Sequence, residues 1–392
     1  MRRRRFLEML AAAPMAMALP RTARAAASSR LLVLVYLHGG NDGYNTWVPY
    51  ADERYYRMRP NIAVARDSVL KVTDRQGFHP SLSALMPPWD RGELALIQGI
   101  GLPDITQQHY RDSEMAFTGA DDGEYPVEGW ASRALDRIAK RPGAIADAVA
   151  FDVLDIRESD PTGPFRGGKH RVVQVHYARE LIEKRRFSDC VIDANPPARS
   201  RLSEGGDTLA PLSLKTSFPG DQFGSAVRAA VELAALDRAV PVIHIALNGH
   251  DGDKHHSVDT HWEQLKWQAD ALSRLANGLA ALRNGLLEIG RWDETLVLTY
   301  DEFGRSPREN DRQGTHHGWG TTHFALGGRV KGGLLGEAPE MVNVHMVGGP
   351  RPVIDTRSLW TTVVERWWDA ESSGLFTHRH AKLDLLRARS AT

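Results

Sequence analysis

Short runs of apolar residues recur along the chain, and each run ends in a polar or glycine-rich turn. Unbroken apolar runs of this length are typical of β-strands that helices cover on both faces. The pattern predicts four buried strands and a shorter fifth one, namely Leu31–Leu37, Leu94–Ile100, Val240–Leu247, Thr295–Thr299 and Phe324–Leu326.

A longer periodic pattern lies between two of these strands. Leucines recur at spacings of three, four and seven residues between Val258 and Ile289, which predicts an amphipathic helix. Ser225–Leu236 and Asp355–Trp368 are predicted to be further helices, and the Pro-, Ser- and Gly-rich stretch Asp193–Gly220 a surface excursion. A helix between two buried strands is the βαβ arrangement of an α/β protein. We therefore predict an α/β three-layer sandwich with a mostly parallel central sheet.

Each of the first four predicted strands leads into a turn that is rich in histidine, aspartate or glutamate. In open α/β sheets, ligands bind beyond the carboxyl ends of the strands, so parallel strands would bring these turns to one edge. Imidazole and carboxylate groups together are ligands for zinc, manganese or iron, and carboxylates alone suit magnesium or calcium. The turns are His38–Gly43, Asp104–His109, Asn248–His256 and Asp301–Arg305, with Thr315–Gly318 close behind.

Any one of these residues has a simpler interpretation. A lone aspartate after a strand is more often a helix cap or a turn former, and a lone loop histidine is usually solvated. Four strand ends with such groups make a stronger case together, and seven of the sixteen histidines lie in these turns. Asp251 and His255 are also spaced so that both could reach one ion. His38-Gly39-Gly40 does not indicate a lipase, because the chain has no G-x-S-x-G motif.

Residues 1–25 have the form of an export signal. Arg3-Arg4 lies in a twin-arginine motif, Met9–Leu19 is weakly apolar, and Ala23-Arg24-Ala25 is a cleavage site. The alternative is a basic amphipathic starter helix. The apolar stretch is shorter than the roughly 20 residues that a membrane span needs. We predict export by the Tat translocase to the periplasm or beyond, and a single domain over residues 26–392.

Charge and cysteine content exclude several classes of partner and site. Residues 26–392 carry 43 basic and 48 acidic side chains, so the mature chain is mildly acidic. Nucleic acid and anionic lipid are therefore not expected partners, and no second run is apolar enough to span a membrane. Cys190 is the single cysteine, which excludes an internal disulfide and a zinc ribbon.

With these residues in view, the chain resembles the bacterial family called domain of unknown function 1501. That family is similar to the alkaline phosphatase and sulfatase superfamily. The resemblance covers roughly Arg30 to the C-terminus and is carried by four blocks in order: Leu37–Asn45, Leu94–Gly119, Gly249-His250-Asp251 and Leu296–Gly336. It implies an alkaline phosphatase-like fold.

The resemblance also implies a two-metal hydrolase acting on a phosphate or sulfate ester, either a small molecule or a polymer. Two ions would lower the pKa of an attacking hydroxyl and stabilise the leaving group. Zinc, manganese and calcium are the expected ions. The residues that match the superfamily ligands are Asp42, Asp251, His255, Glu302 and His317.

The family's attacking residue is matched less well in this chain than its metal ligands are. The family commonly has serine where this chain has Gln108, and a glutamine amide cannot attack as an alkoxide. Asp253 likewise replaces an expected histidine. We predict that Thr106 and His109 are catalytic residues. Thr106 carries the nearest hydroxyl before the helix, although it would also suit a helix cap. Two functions stay open: an ester hydrolase, or a non-catalytic periplasmic binding or assembly protein that keeps the fold and one ion.

Overall fold

The computed structural model describes residues 30–139, 141, 143–151, 163–194, 198, 208–236, 240–248, 258–341 and 348–388. The predicted signal peptide therefore lies outside the described residues. The strands are β1 (Leu31–Leu37), β2 (Trp47–Val48), β3 (Leu70–Lys71), β4 (Gly77–Phe78), β5 (Leu94–Gly101), β6 (Ala148–Phe151), β7 (Val172–Val175), β8 (Val191–Ala194), β9 (Val242–Leu247), β10 (Thr295–Tyr300), β11 (Gly304–Glu309), β12 (Thr315–Gly318), β13 (Thr321–Leu326), β14 (Gly333–Gly336) and β15 (Ile354–Asp355).

The helices of the described chain differ widely in length. They are α1 (Gly43–Thr46), α2 (Glu53–Met58), α3 (Met86–Asp90), α4 (His109–Thr118), α5 (Trp130–Leu135), α6 (Ala178–Lys184), α7 (Gln222–Ala234), α8 (Gln264–Glu288) and α9 (Thr356–Thr362), which runs into a π-helical turn at Val363–Trp367. None of the helices in these ranges is both long and apolar enough to cross a membrane.

The central sheet of the described chain has ten strands in the order β14-β5-β13-β10-β1-β9-β6-β7-β8, with β15 also paired to β5. Strand β1 pairs in parallel with β10 on one side and with β9 on the other. Strand β13 runs antiparallel between β10 and β5, so β5 has the same direction as β10. The carboxyl ends of β5, β10, β1 and β9 therefore lie at one edge of the sheet.

Alternate residues of β1 face two different apolar layers. Leu31, Val33, Val35 and Leu37 pack in a core with residues of α7 and α8, such as Phe223 and Leu272. Leu32, Leu34 and Tyr36 pack in a second core with Trp360 and Trp367. Both faces of the sheet are thus covered, which is why this strand carries no alternating polar residues. The predicted α/β fold with a mostly parallel central sheet is confirmed.

The predicted elements are present, β1 with the predicted bounds and the others with shifted ends. The apolar run Phe324–Leu326 is the end of the longer strand β13, and it is antiparallel to its neighbours. The leucine-rich helix begins at Gln264 rather than at Val258. The segment before it is a loop, and that loop contributes two side chains to the candidate site.

Candidate metal centre

Four side chains converge at the carboxyl edge of the sheet. His109 is the first residue of α4, Asp259 and His261 lie in the loop before α8, and His317 lies on β12. One ligand atom from each of these half-buried residues can be chosen so that all lie within 4.8 Å of one another. Segments far apart in sequence meet here because β9, β1 and β10 run in parallel and end together.

The spacing of the inner atoms suits one metal ion. His261 Nε2 lies 3.0 Å from His317 Nε2 and 3.1 Å from Asp259 Oδ1. His109 Nε2 lies 3.7 Å from Asp259 Oδ2. Ligand atoms around a tetrahedral zinc ion, each about 2.0–2.1 Å from the metal, are roughly 3.3 Å apart. The closest pairs in this cluster therefore already have the spacing of ligands that share an ion.

The outer nitrogens of two imidazole rings are held by acceptors. His317 Nδ1 lies 2.7 Å from the carbonyl oxygen of Gln107, and His109 Nδ1 lies 2.8 Å from Glu302 Oε1. With a proton on each Nδ1, both Nε2 lone pairs point into the cluster, as in protein metal sites. The Phe303 ring packs against both imidazoles, with ring centroids 4.3 Å from His317 and 4.8 Å from His109.

The protonation states also suit metal binding. Burial, and after it the charge of Arg305, lower the pKa of His317 to about 3. Burial alone would raise the pKa of Asp259, but the charge of Arg305 and the hydrogen bond from His261 outweigh burial and hold it well below its usual range. At neutral pH the cluster therefore offers a neutral imidazole and an ionised carboxylate, which are the forms that bind metal.

Glu302 supports the cluster through its contact with His109. It is fully buried, and its carboxylate accepts hydrogen bonds from the Gly39 amide and the Tyr36 hydroxyl, both at 2.9 Å, as well as from His109. Burial would raise the pKa of Glu302, but the hydrogen bond from His109 and the charge of His38 lower it overall. For His109 the balance is reversed: burial lowers its pKa, and Glu302 outweighs burial and raises it.

Arg305 ties the cluster to the turn after β1. Its buried guanidinium donates to the carbonyl oxygens of Gly39 and Gly40 and to Asp259. Both glycines have positive φ, and a Cβ on either would lie 2.5 Å from Asp259 or Phe303 respectively. The turn needs glycine because its backbone lies directly against the cluster.

The structure brings together some of the residues predicted from the sequence. His317 is in the cluster, and Glu302 contacts it through His109, which was predicted as a catalytic residue and here lies among the potential ligands. Asp251 and His255 lie outside the described residues. Thr106 lies in the loop before α4, where its hydroxyl donates to Asp112 Oδ1 at 2.9 Å.

Asp42 is not in the cluster, contrary to its predicted place among the metal ligands. It is fully buried, caps the N-terminus of α1 and forms an ion pair with Arg59. Its carboxylate oxygens already accept hydrogen bonds from these partners.

Sequence reasoning missed Asp259, His261 and Arg305. Asp259-Thr260-His261 is an acid and an imidazole two residues apart directly before a helix, which is a usable signal. The predicted helix hides this signal, because its range begins at Val258 and so includes both residues. Arg305 gave no signal, because a guanidinium is not a metal ligand.

Part of the second half of the chain matches a known family. Residues 204–355 match the family described as protein of unknown function (DUF1501). The matched segment contains Asp259, His261 and His317, whereas His109 comes from outside it. A search of curated protein sequences returns no match.

The chain is also similar to several solved structures. A sulfatase from Pseudoalteromonas sp. is 12% identical over 90% of this chain and 72% of that one, with a TM-score of 0.39. A protein in the alkaline phosphatase superfamily from Vibrio parahaemolyticus is 9% identical, over 86% and 66%, with a TM-score of 0.39. Murine ectonucleotide pyrophosphatase/phosphodiesterase 5 is 8% identical, over 90% and 97%, with a TM-score of 0.41.

Proposed function

We propose that this protein is a metal-dependent hydrolase of a phosphate or sulfate ester, with a small molecule or a polymer as substrate. The observation that supports it is the convergence of three imidazoles and one carboxylate at the carboxyl edge of the sheet. Imidazole-rich sets suit zinc or manganese, whereas calcium prefers oxygen ligands. Zinc and manganese are therefore better candidates here than calcium.

The residues of the cluster have distinct parts in this proposal. His109, Asp259, His261 and His317 would hold the ion, which when bound would polarise a non-bridging oxygen of the ester. Arg305 holds Asp259 in place, and Glu302 holds His109. All four potential ligands are half-buried, so each keeps some contact with solvent.

One observation favours the non-catalytic alternative. Asp112 Oδ1 accepts the Thr106 hydroxyl and also the Thr106 backbone amide, at 2.9 and 2.7 Å, and Asp112 Oδ2 accepts the Gln108 amide at 3.1 Å. The Thr106 hydroxyl thus binds a carboxylate of α4 that also holds the loop before the helix. A binding or assembly protein that retains one ion would need nothing more from this residue.

A panel of aryl phosphates and aryl sulfates separates the two functions. Metal-loaded wild-type protein should turn over at least one of them, and His317→Gln should lose both turnover and bound metal. His316→Gln is the matched control, because His316 is the neighbouring imidazole and is not in the cluster. Metal binding without turnover of any ester would favour the binding function.

The remaining proposals concern export and domain structure. We propose that residues 1–25 direct export by the Tat translocase to the periplasm or outside the cell, and that residues 26–392 form one domain. The twin-arginine motif supports the first of these. Replacing Arg3 and Arg4 by lysine should remove the protein from the periplasmic fraction, and an unchanged periplasmic yield would refute it.

A further inference from the structure

The first carboxylate after β1 lies in a buried bidentate ion pair. Asp42 and Arg59 are both 0% exposed. Arg59 Nη1 lies 2.5 Å from Asp42 Oδ2, and Arg59 Nη2 lies 3.1 Å from Asp42 Oδ1. A fork of this geometry engages both carboxylate oxygens and is among the strong hydrogen-bonded contacts in proteins.

Three further donors complete the surroundings of Asp42. The Gln264 amide donates to Oδ2, and the backbone amides of Tyr44 and Asn45 donate to Oδ1 at 3.0 and 3.4 Å. A carboxylate has about four lone-pair positions, so these five donors fill them. An ion could bind Asp42 only by displacing Arg59, which would leave a buried guanidinium without its counter-charge.

The same ion pair anchors the elements that carry the cluster. Arg59 donates to the carbonyl oxygens of Ser306 and Pro307 on β11, both at 2.8 Å. Gln264, the first residue of α8, accepts from Thr315 on β12 at 2.8 Å. The hairpin that bears Arg305 and His317 is thus joined to the helix that follows His261.

The charges around the cluster also favour a single ion. Among the described residues around the cluster, the carboxylates are Asp259 and Glu302, and Arg305 adds a positive charge. Asp301 is a separate buried acid, 3.3 Å from His323. In the described ranges the cluster contains one carboxylate, Asp259. Two divalent ions a few ångströms apart repel each other strongly unless several carboxylates lie between them.

We propose that the cluster holds one divalent ion, rather than the two implied by the resemblance, and that Asp42 is a structural anchor for Arg59 and not a ligand. This inference rests on the proposed function, since it concerns the stoichiometry of the same metal centre. Arg305 lies beside Asp259 and already places a positive charge there. In a two-ion centre, the second ion would supply that charge.

Metal stoichiometry tests the proposal without any substrate. Purified mature protein is loaded with zinc or manganese, desalted and assayed by elemental analysis, and its melting temperature is recorded. Wild type should bind one ion per chain and His261→Gln none, with His316→Gln as the unaffected control. Asp42→Asn should keep one ion, with an affinity lowered by no more than about tenfold, and should melt at a lower temperature.

The outcomes distinguish this proposal from the proposed function. Two ions in wild type, or loss of the ion from folded Asp42→Asn, would overturn the single-ion centre while leaving a metal-dependent hydrolase possible. A metal-free wild type would overturn both proposals. If Asp42→Asn does not fold, the double variant Asp42→Leu with Arg59→Met removes both charges at similar volume. That variant should also bind one ion, and a metal-free folded form would overturn the assignment of Asp42.

Discussion

His317 Nδ1 lies 2.7 Å from the carbonyl oxygen of Gln107, so the hairpin β11–β12 is tied directly to the loop that precedes α4. Gln107 has a positive φ of 63°, a conformation that is uncommon for residues other than glycine. The backbone is thus held in an uncommon conformation at the point where its carbonyl group orients an imidazole. The ring orientation of His317 is therefore set by the protein itself, before any ion binds.

Glu302→Gln should weaken metal binding by about 10- to 100-fold, because Glu302 orients His109 without being in the cluster itself. Titration calorimetry with zinc measures the effect. Glu263→Gln is the matched control, since Glu263 is exposed beside the same cluster. Equal affinities for the two variants would mean that the Glu302–His109 contact does not support the ion.

Gly40→Ala should destabilise the fold by about 3 kcal/mol or more, because the new Cβ would lie 2.5 Å from the Phe303 ring at a backbone φ of 79°. Gly123→Ala is the control for backbone strain alone. Gly123 has a similar φ of 85° and no atom within 4 Å of the added Cβ, so that variant should cost about 1–2 kcal/mol. Urea unfolding of both variants gives the difference, and equal losses would show that the space beside Phe303 is not limiting.

The stability of the protein should fall as the pH falls from about 6.5 to about 3 because of His244. This residue is fully buried and its pKa is lowered from 6.5 to about 3 by burial. In that interval the unfolded chain binds the extra proton, so acid favours unfolding, by up to about 4 kcal/mol from this group.

Urea unfolding at pH 7 and pH 4 measures the contribution of His244. His244→Gln should show a smaller loss between the two pH values than wild type. His378→Gln is the control, because the His378 side chain is 73% exposed. An unchanged pH dependence in His244→Gln would remove this group as a source of acid sensitivity.

Substitutions of Thr106 should show whether this residue is a nucleophile or has only a structural part. As a nucleophile it would keep measurable turnover in Thr106→Ser and lose it in Thr106→Ala. As a purely structural residue, suggested by its hydrogen bond to Asp112, Thr106 could be replaced by alanine at a cost of ~1 kcal/mol of stability with turnover largely intact. Turnover of the best aryl ester and the melting temperature are measured together. Full activity in Thr106→Ala would remove the hydroxyl from the chemistry.

The strands next to the site could be predicted because burial on both faces imposes unbroken apolar runs. Strand β1 has the predicted bounds, Leu31–Leu37, for this reason. The four-residue strands β6 and β7 were not predicted, because runs as short as Ala148–Phe151 and Val172–Val175 also occur in loops and helices. Short elements depend on their neighbours in the sheet, which one sequence does not reveal.

The site was predictable only where its residues directly follow strands or lie in a histidine-rich turn. Glu302 and His317 met that condition. Asp42 met it too, but no sequence pattern shows that Arg59 reaches back to that carboxylate. Asp259 was missed because its loop continues into the apolar periodicity of α8. Ion pairs between separate elements are therefore the information that the sequence lacks.

The position of β1 in the middle of the sheet has a consequence for synthesis. Leu32 pairs with Val242 on one side and with Leu296 on the other, so its first neighbour comes about 210 residues later in the chain. At roughly 5–20 residues per second, a ribosome needs on the order of 10–40 s to make that stretch. Throughout this time an apolar strand has neither of its partners. The exposed strand of the nascent chain must therefore be protected by chaperones or by transient collapse. The sheet closes only when translation is well advanced.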